Sequence, residues 1–121
     1  MTSLILLSLL ASDPCISGVP VGKRPGPYSF LVATGPERGK QTCFICEQES
    51  KPTAVVFARS LSAPLGKLLA TLDAEVPKQK DAGFKVWMTH LTAKADLNAL
   101  AKWSQQQGLK SVPVEIGRAH V

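Results

Sequence analysis

The sequence has few of the residues that would place it outright in a functional class. It contains three cysteines, two histidines and one tyrosine, and aromatic residues make up 6% of its 121 residues. Three cysteines are too few for the multi-disulfide scaffold of a small secreted domain. The most apolar stretch, residues 4–10, is far shorter than the about 20 residues that cross a bilayer, so no stable membrane span is expected.

The basic residues are scattered along the chain. The 14 Lys and Arg residues exceed the nine Asp and Glu residues, which gives a formal net charge of +5. A nucleic-acid surface concentrates such residues on one element, often with aromatic side chains between them. We therefore expect no nucleic-acid partner, and binding to nucleic acid or membrane is kept only as a third alternative. A hydrophobic content of 45% over this length predicts one globular domain.

The N-terminal residues 1–17 have features of an export signal. Residues 4–10 read Leu-Ile-Leu-Leu-Ser-Leu-Leu, and the small residues Ala11 and Ser12 follow. This pattern is typical of a signal-peptide core, although no basic residue precedes it. The sequence thus favours an exported protein, periplasmic or extracytoplasmic. The alternatives are a cytoplasmic protein with a buried N-terminal helix, or a misassigned start codon.

The C-terminal residues 115–121 are expected to be foreign to the domain. The segment from Ile116 to Val121 resembles the translation of a common sequencing adapter, and Glu115 can span the junction. On this interpretation the natural domain covers residues 18–114 and is truncated at its C-terminal end. Arg118 and His120 then carry no functional argument.

Strand and helix patterns alternate through the middle of the chain. Residues 28–34, 53–59 and 84–91 are predicted strands, and another begins at Val112. Ser62 can cap one helix, expected to end at Pro77, and Asp96 can cap a second, expected to end at Gly108. Strand, helix, strand, helix and strand with short links predict an α/β fold with a parallel sheet and right-handed crossovers.

The chemistry that the sequence offers lies in Cys43 and Cys46, which are separated by two residues. Such a pair can close a reversible disulfide, and at the start of a helix the first thiolate is stabilised by exposed amides. A structural disulfide or one edge of a metal site is the alternative. Zinc would need further ligands, and outside the tail that is expected to be foreign the only other cysteine and histidine are Cys15 and His90, so no metal and no cofactor are predicted. His90 is interpreted as a core or edge residue of its strand.

With these elements in place, the chain resembles the thioredoxin-like superfamily, in particular its redoxin and peroxiredoxin-type domains. The resemblance rests on three stretches, residues 18–28, 53–72 and 84–109. It implies an incomplete three-layer sandwich, a β-α-β-α-β portion with an extra N-terminal strand. In this superfamily the reactive cysteine follows the central strand, where this chain has Ser60-Leu61-Ser62-Ala63-Pro64. The family's catalytic roles therefore do not transfer to Cys43 and Cys46 by position. Pro113 is the weak candidate for the family's active-site proline.

The sequence thus predicts a thioredoxin-like thiol–disulfide redox protein, a possible oxidoreductase or peroxidase that acts on protein disulfides or peroxides. Cys43 is the expected attacking thiol and Cys46 the resolving thiol. The alternative is a non-enzymatic thioredoxin-like module in which the pair forms a structural disulfide or a metal clip.

Overall fold

A five-stranded mixed sheet organises the chain in a computed structural model that describes residues 18–23, 30–94 and 96–117. The order of elements is β1 Phe30–Val32, β2 Gln41–Thr42, α1 Phe44–Gln48, β3 Thr53–Ala58, α2 Ala63–Lys78, a 3₁₀ turn Lys80–Ala82, β4 Lys85–Leu91, α3 Leu97–Gln106 and β5 Val114–Gly117. Across the sheet the strands lie in the order β2-β1-β5-β4-β3. The predicted leader, Cys15 and residues 118–121 lie outside the described residues.

The predicted parallel unit is confirmed. β3 pairs with β4, and β4 pairs with β5, both in parallel register, with α2 and α3 as the connections. β1 is antiparallel to both of its neighbours and joins β2 through the exposed turn at residues 35–40. In that turn the Gly39 amide donates to the Val32 carbonyl, and Gly39 has a φ of 81°, which favours glycine.

The two faces of the sheet bury different side chains, as the alternation along β4 predicts. Val86 and Met88 face α2 and α3, where they pack with Leu69 and Leu100 in the larger core cluster. Trp87 points to the opposite face, in a smaller cluster with Phe30, Val32 and Phe44. Helices on one face and the short α1 on the other make three layers.

Both predicted helix caps are present. The Ser62 hydroxyl accepts a hydrogen bond from the Leu65 amide, and an Asp96 carboxylate oxygen accepts one from the Ala99 amide. The first helix continues past its expected end, because Pro77 lies in the last turn and the helix ends at Lys78. A proline so near the end removes only one intrahelical hydrogen bond, which the helix tolerates there.

The last strand begins two residues later than predicted, at Val114. The amides of Lys110, Ser111 and Val112 all donate to Oδ1 of Asp73 on α2, at 2.9, 2.6 and 2.9 Å. These three donors are therefore directed at a helix side chain and not at a neighbouring strand, and β5 begins at Val114. β5 then runs through Glu115, Ile116 and Gly117, so part of the segment predicted to be foreign lies within the sheet.

Candidate functional site

The Cys43–Cys46 pair lies on a connection that crosses one face of the sheet. β2 ends at Thr42, Cys43 is the extended N-cap residue of α1, and Cys46 is on the first turn of that helix. The five-residue α1 is too short to be stable through its own hydrogen bonds. Its conformation therefore depends on side chains that attach it to the sheet.

Phe44 and Gln48, one helical turn apart, provide that attachment. The Phe44 ring lies between Phe30 and Trp87, with ring centroids 5.1 and 5.4 Å away and tilted planes. Gln48 is only 3% exposed, and its amide nitrogen donates to the Gly83 carbonyl and to Oγ1 of Thr53, each at 3.1 Å. These contacts hold the face of α1 that packs against the sheet.

The two cysteines share one helical turn and are both thiols. The Cys46 amide donates to the Cys43 carbonyl at 3.2 Å, Cys43 is half-buried and Cys46 is exposed. The pKa of Cys46 is raised, mainly by a hydrogen bond to the Cys43 side chain and further by desolvation and the charge of Cys43. A raised pKa at Cys46 keeps its proton in place when a negative charge develops on Cys43. The pair is thus asymmetric: Cys46 is the more exposed sulfur and the one whose pKa is raised.

The cysteine pair is separate from the start of α2. Cys43 follows the edge strand β2, whereas residues 60–64 follow β3 at the opposite edge of the sheet. Four inter-strand spacings of about 4.8 Å separate the two edges, or about 19 Å. Ser62 at that position caps α2 and supplies no thiol. The Cys43–Cys46 pair therefore differs from residues 60–64 in spatial position as well as in sequence position.

His90 and Pro113 both make contacts to the backbone of a neighbouring strand. Nδ1 of His90 is 3.1 Å from the Ala58 carbonyl oxygen of the neighbouring strand, a satisfied contact that agrees with the core or edge interpretation. The Pro113 carbonyl accepts a hydrogen bond from the Met88 amide. In the part of the chain that the structure describes every peptide bond is trans, including the bond before Pro113.

The described residues offer neither a metal-binding cluster nor a membrane-spanning helix. Within residues 18–23, 30–94 and 96–117, no cluster of three or more His, Cys, Asp or Glu side chains could hold a metal ion. In the same residues, no helix is long and apolar enough to cross a membrane.

The supporting role of Gln48 was missed from the sequence. It stands in the polar run Glu47-Gln48-Glu49-Ser50-Lys51, where no apolar periodicity marks a buried position. The only signal is its spacing of four from Phe44, and that becomes informative only when a helix over these residues is already known.

Comparison with known proteins identifies the fold. No protein-family model and no curated protein matches the sequence. Among solved structures, the chain is similar to the solution structure of a candidate protein disulfide isomerase from Bacteroides thetaiotaomicron, with a TM-score of 0.62 and 14% sequence identity. The match covers 84% of this chain and 60% of that one, so the chain spans about three fifths of its length. The fold is thioredoxin-like, as the sequence resemblance implied.

Proposed function

We propose that this chain is a thiol–disulfide redox protein in which Cys43 attacks and Cys46 resolves. The observation that carries the proposal is the hydrogen bond between the half-buried thiol of Cys43 and the exposed thiol of Cys46, which raises the pKa of Cys46. The thioredoxin-like fold and its disulfide isomerase neighbour support it.

The reaction follows from the asymmetry of the pair. The Cys43 thiolate attacks one sulfur of a substrate disulfide, forms a mixed disulfide and releases the other substrate sulfur as a thiolate. Cys46 then loses its proton and attacks the Cys43 sulfur, which releases the second substrate thiolate and closes the Cys43–Cys46 disulfide. Two electrons pass from the protein dithiol to the substrate, and an external thiol reductant returns the protein to its starting state.

A peroxide is the second substrate class, in line with the redoxin and peroxiredoxin subtype that we also propose. The Cys43 thiolate would attack a peroxide oxygen and break the O–O bond, giving a sulfenic acid and, after the leaving oxygen takes a proton from water, an alcohol or, from hydrogen peroxide, water. Cys46 would then displace water from the sulfenic acid and form the same intramolecular disulfide. Both routes end in the same Cys43–Cys46 disulfide, so the oxidised product does not reveal the substrate. Turnover rates with each substrate identify the substrate, and cysteine variants identify the role of each thiol.

The test is reductant-dependent turnover of insulin and of hydrogen peroxide by wild type and three variants. Cys43→Ser is expected to abolish turnover, and Cys46→Ser is expected to trap a mixed disulfide on Cys43. Cys15→Ser is the matched control and should retain full activity, because Cys15 is outside the pair. Undiminished turnover by Cys43→Ser would refute the proposal.

The alternative function is a non-enzymatic module in which the pair is a structural disulfide or a metal clip. The observation that favours it is the place of the pair, on α1 and away from the start of α2. Equilibration in glutathione buffers separates the two functions. A redox-active pair should have a potential of about −270 mV or higher, whereas a structural bridge should lie below about −300 mV. Stoichiometric zinc in the purified protein would indicate the metal clip.

We also propose the division of the chain into a leader at 1–17, a truncated domain at 18–114 and a foreign tail at 115–121, in an exported protein. Glu115 favours the tail assignment, because it is 0% exposed in β5 and glutamate is seldom buried, whereas Ile116 beside it packs in the core and speaks against the assignment. Its Oε1 accepts a hydrogen bond from Oγ1 of Thr89. Reading the source DNA past the codon of Val114 tests the division: a frame that continues differently supports it, and a frame that encodes Glu115–Val121 refutes it.

A further inference from the structure

A cavity of about 540 Å³ lies at the amino-terminal ends of β4 and β5, between α1 and the last turn of α2. Its size is within the range of about 300–1,000 Å³ that is typical of small-molecule sites. The cavity lies under the face of α1 that carries Phe44 and Gln48. Cys43 and Cys46 do not line it.

The walls of the cavity are largely apolar. They are formed by aromatic, aliphatic and proline side chains, among them Phe44, Val76, Pro77, Phe84, Val86 and Trp87. Phe44, Val86 and Trp87 are buried and form the floor of the cavity, whereas Val76 and Phe84 are half-buried and Pro77 is exposed. An apolar ligand body would be desolvated against them, which is the main source of affinity in such sites.

The rim of the cavity is positively charged. Lys51, Lys80 and Lys85 line it and are exposed, and among the described residues none of the three forms an ion pair. The two acidic residues at the rim are already engaged. Glu37 forms an ion pair with Lys40 at 3.0 Å, and Glu47 accepts a hydrogen bond from Oγ1 of Thr42 at 3.1 Å. Lys40 offsets the charge of Glu37, whereas Glu47 keeps its negative charge, so the three lysines leave the rim with a net positive charge.

From this combination we propose that the cavity binds a small organic carboxylate with an apolar body. The apolar part packs against Pro77 and Phe84, above the buried Phe44 and Trp87, and the carboxylate lies at the rim within reach of the lysine ammonium groups. Lysine on a flexible side chain suits a point-charge contact of this kind, in which no fixed bidentate geometry is required.

The experiment is an NMR titration of the full chain with octanoate, and with 1-octanol as the uncharged probe of equal chain length. Octanoate is expected to bind with a Kd of about 1 mM or tighter. It should shift the amide of Gly83 and the indole of Trp87, while the indole of Trp103, on α3, serves as an internal control. Octanol should bind at least severalfold more weakly.

Two sets of variants test the origin of that affinity. Replacing Lys51, Lys80 and Lys85 by Met should weaken octanoate binding by about tenfold in total, because each lysine makes an exposed charge contact that contributes about twofold to the affinity. The control variant replaces three exposed lysines elsewhere by Met, those at Lys67, Lys94 and Lys102. It removes the same charge and should change the Kd for octanoate by less than about twofold.

A plugged variant tests the location. Pro77→Trp places an indole in the cavity from the exposed end of α2 and should abolish the octanoate-induced shifts, with circular dichroism used to verify the fold. The proposal is overturned if octanoate leaves the cavity signals unmoved, if octanol binds as tightly as octanoate, or if the control lysine variant loses as much affinity as the cavity variant.

Discussion

Asp73 provides the most direct test of how the fold holds its last strand. One oxygen of its carboxylate accepts hydrogen bonds from three consecutive amides, those of Lys110, Ser111 and Val112. The residues that follow lead into β5, and Ser111 and Pro113 line the cavity described above. Asp73→Ala would remove the acceptor from all three donors at once.

The expected cost can be worked from those three contacts. The Lys110 amide is exposed and can turn to water, so its loss contributes little. The amides of Ser111 and Val112 are partly buried, and each would lose a charge-assisted bond worth about 1–2 kcal/mol. Asp73→Ala should therefore lower the free energy of unfolding by about 2–4 kcal/mol. Asp73→Asn keeps a carbonyl acceptor and should lose about half as much.

Urea unfolding followed by tryptophan fluorescence measures the effect, because Trp87 is buried in the native state. The midpoint should fall while the m-value stays the same. Asp81→Ala, which removes an exposed carboxylate from the neighbouring 3₁₀ turn, is the control and should change stability by less than about 0.5 kcal/mol. Equal stability of wild type and Asp73→Ala, or equal losses in the Ala and Asn variants, would refute the reasoning.

Three further predictions concern the thiols, α2 and the open edge of the sheet. The hydrogen bond to Cys43 raises the pKa of Cys46, so Cys43→Ala should lower the pKa of Cys46. Alkylation of Cys46 by iodoacetamide at pH 8 should then be severalfold faster, and an unchanged rate would contradict the coupling of the two thiols. Gly66→Ala alone brings the new Cβ against the Gln107 side-chain amide. Combined with Gln107→Ala, it should raise the free energy of unfolding by about 0.5–1 kcal/mol in the same urea assay, and a lower free energy of unfolding would contradict this. Phe57 is 56% exposed on the edge strand β3, and an open apolar edge favours self-association by strand pairing. Phe57→Lys should therefore reduce concentration-dependent light scattering without loss of helical circular dichroism, and equal scattering would exclude β3 as the site of self-association.

The alternation of strands and helices was predictable because its signals are local. The apolar run at residues 54–58 predicts a strand, and β3 is found there, although the expectation that it is buried on both faces is wrong because β3 lies at the sheet edge with no fully buried residue. Ser62 and Asp96 are helix caps whose hydrogen bonds reach only three residues along the chain. The alternation in β4 likewise predicts that Val86 and Trp87 face opposite sides of the sheet. Each of these features depends on neighbours in sequence, so no knowledge of the packed structure was needed.

The surroundings of the candidate site depend on contacts between distant residues. α1 exists because Phe44 packs between Phe30 and Trp87 and because Gln48 reaches Gly83, 35 residues away. Five residues show no periodicity from which such a helix can be inferred. The cysteine spacing was therefore visible in the sequence, whereas the turn that presents both thiols was not.

By itself the sequence determined the β-α-β-α-β core, its helix caps and the residue types of the thiol pair. Tertiary structure alone decided that β1 pairs antiparallel with β5, that Cys43 lies at the opposite edge of the sheet from the start of α2, and that Asp73 holds the loop before β5. The physical reason is the range of the interactions. Periodicity and capping act within a few residues, whereas strand order and side-chain anchors form only when segments far apart in sequence pack together.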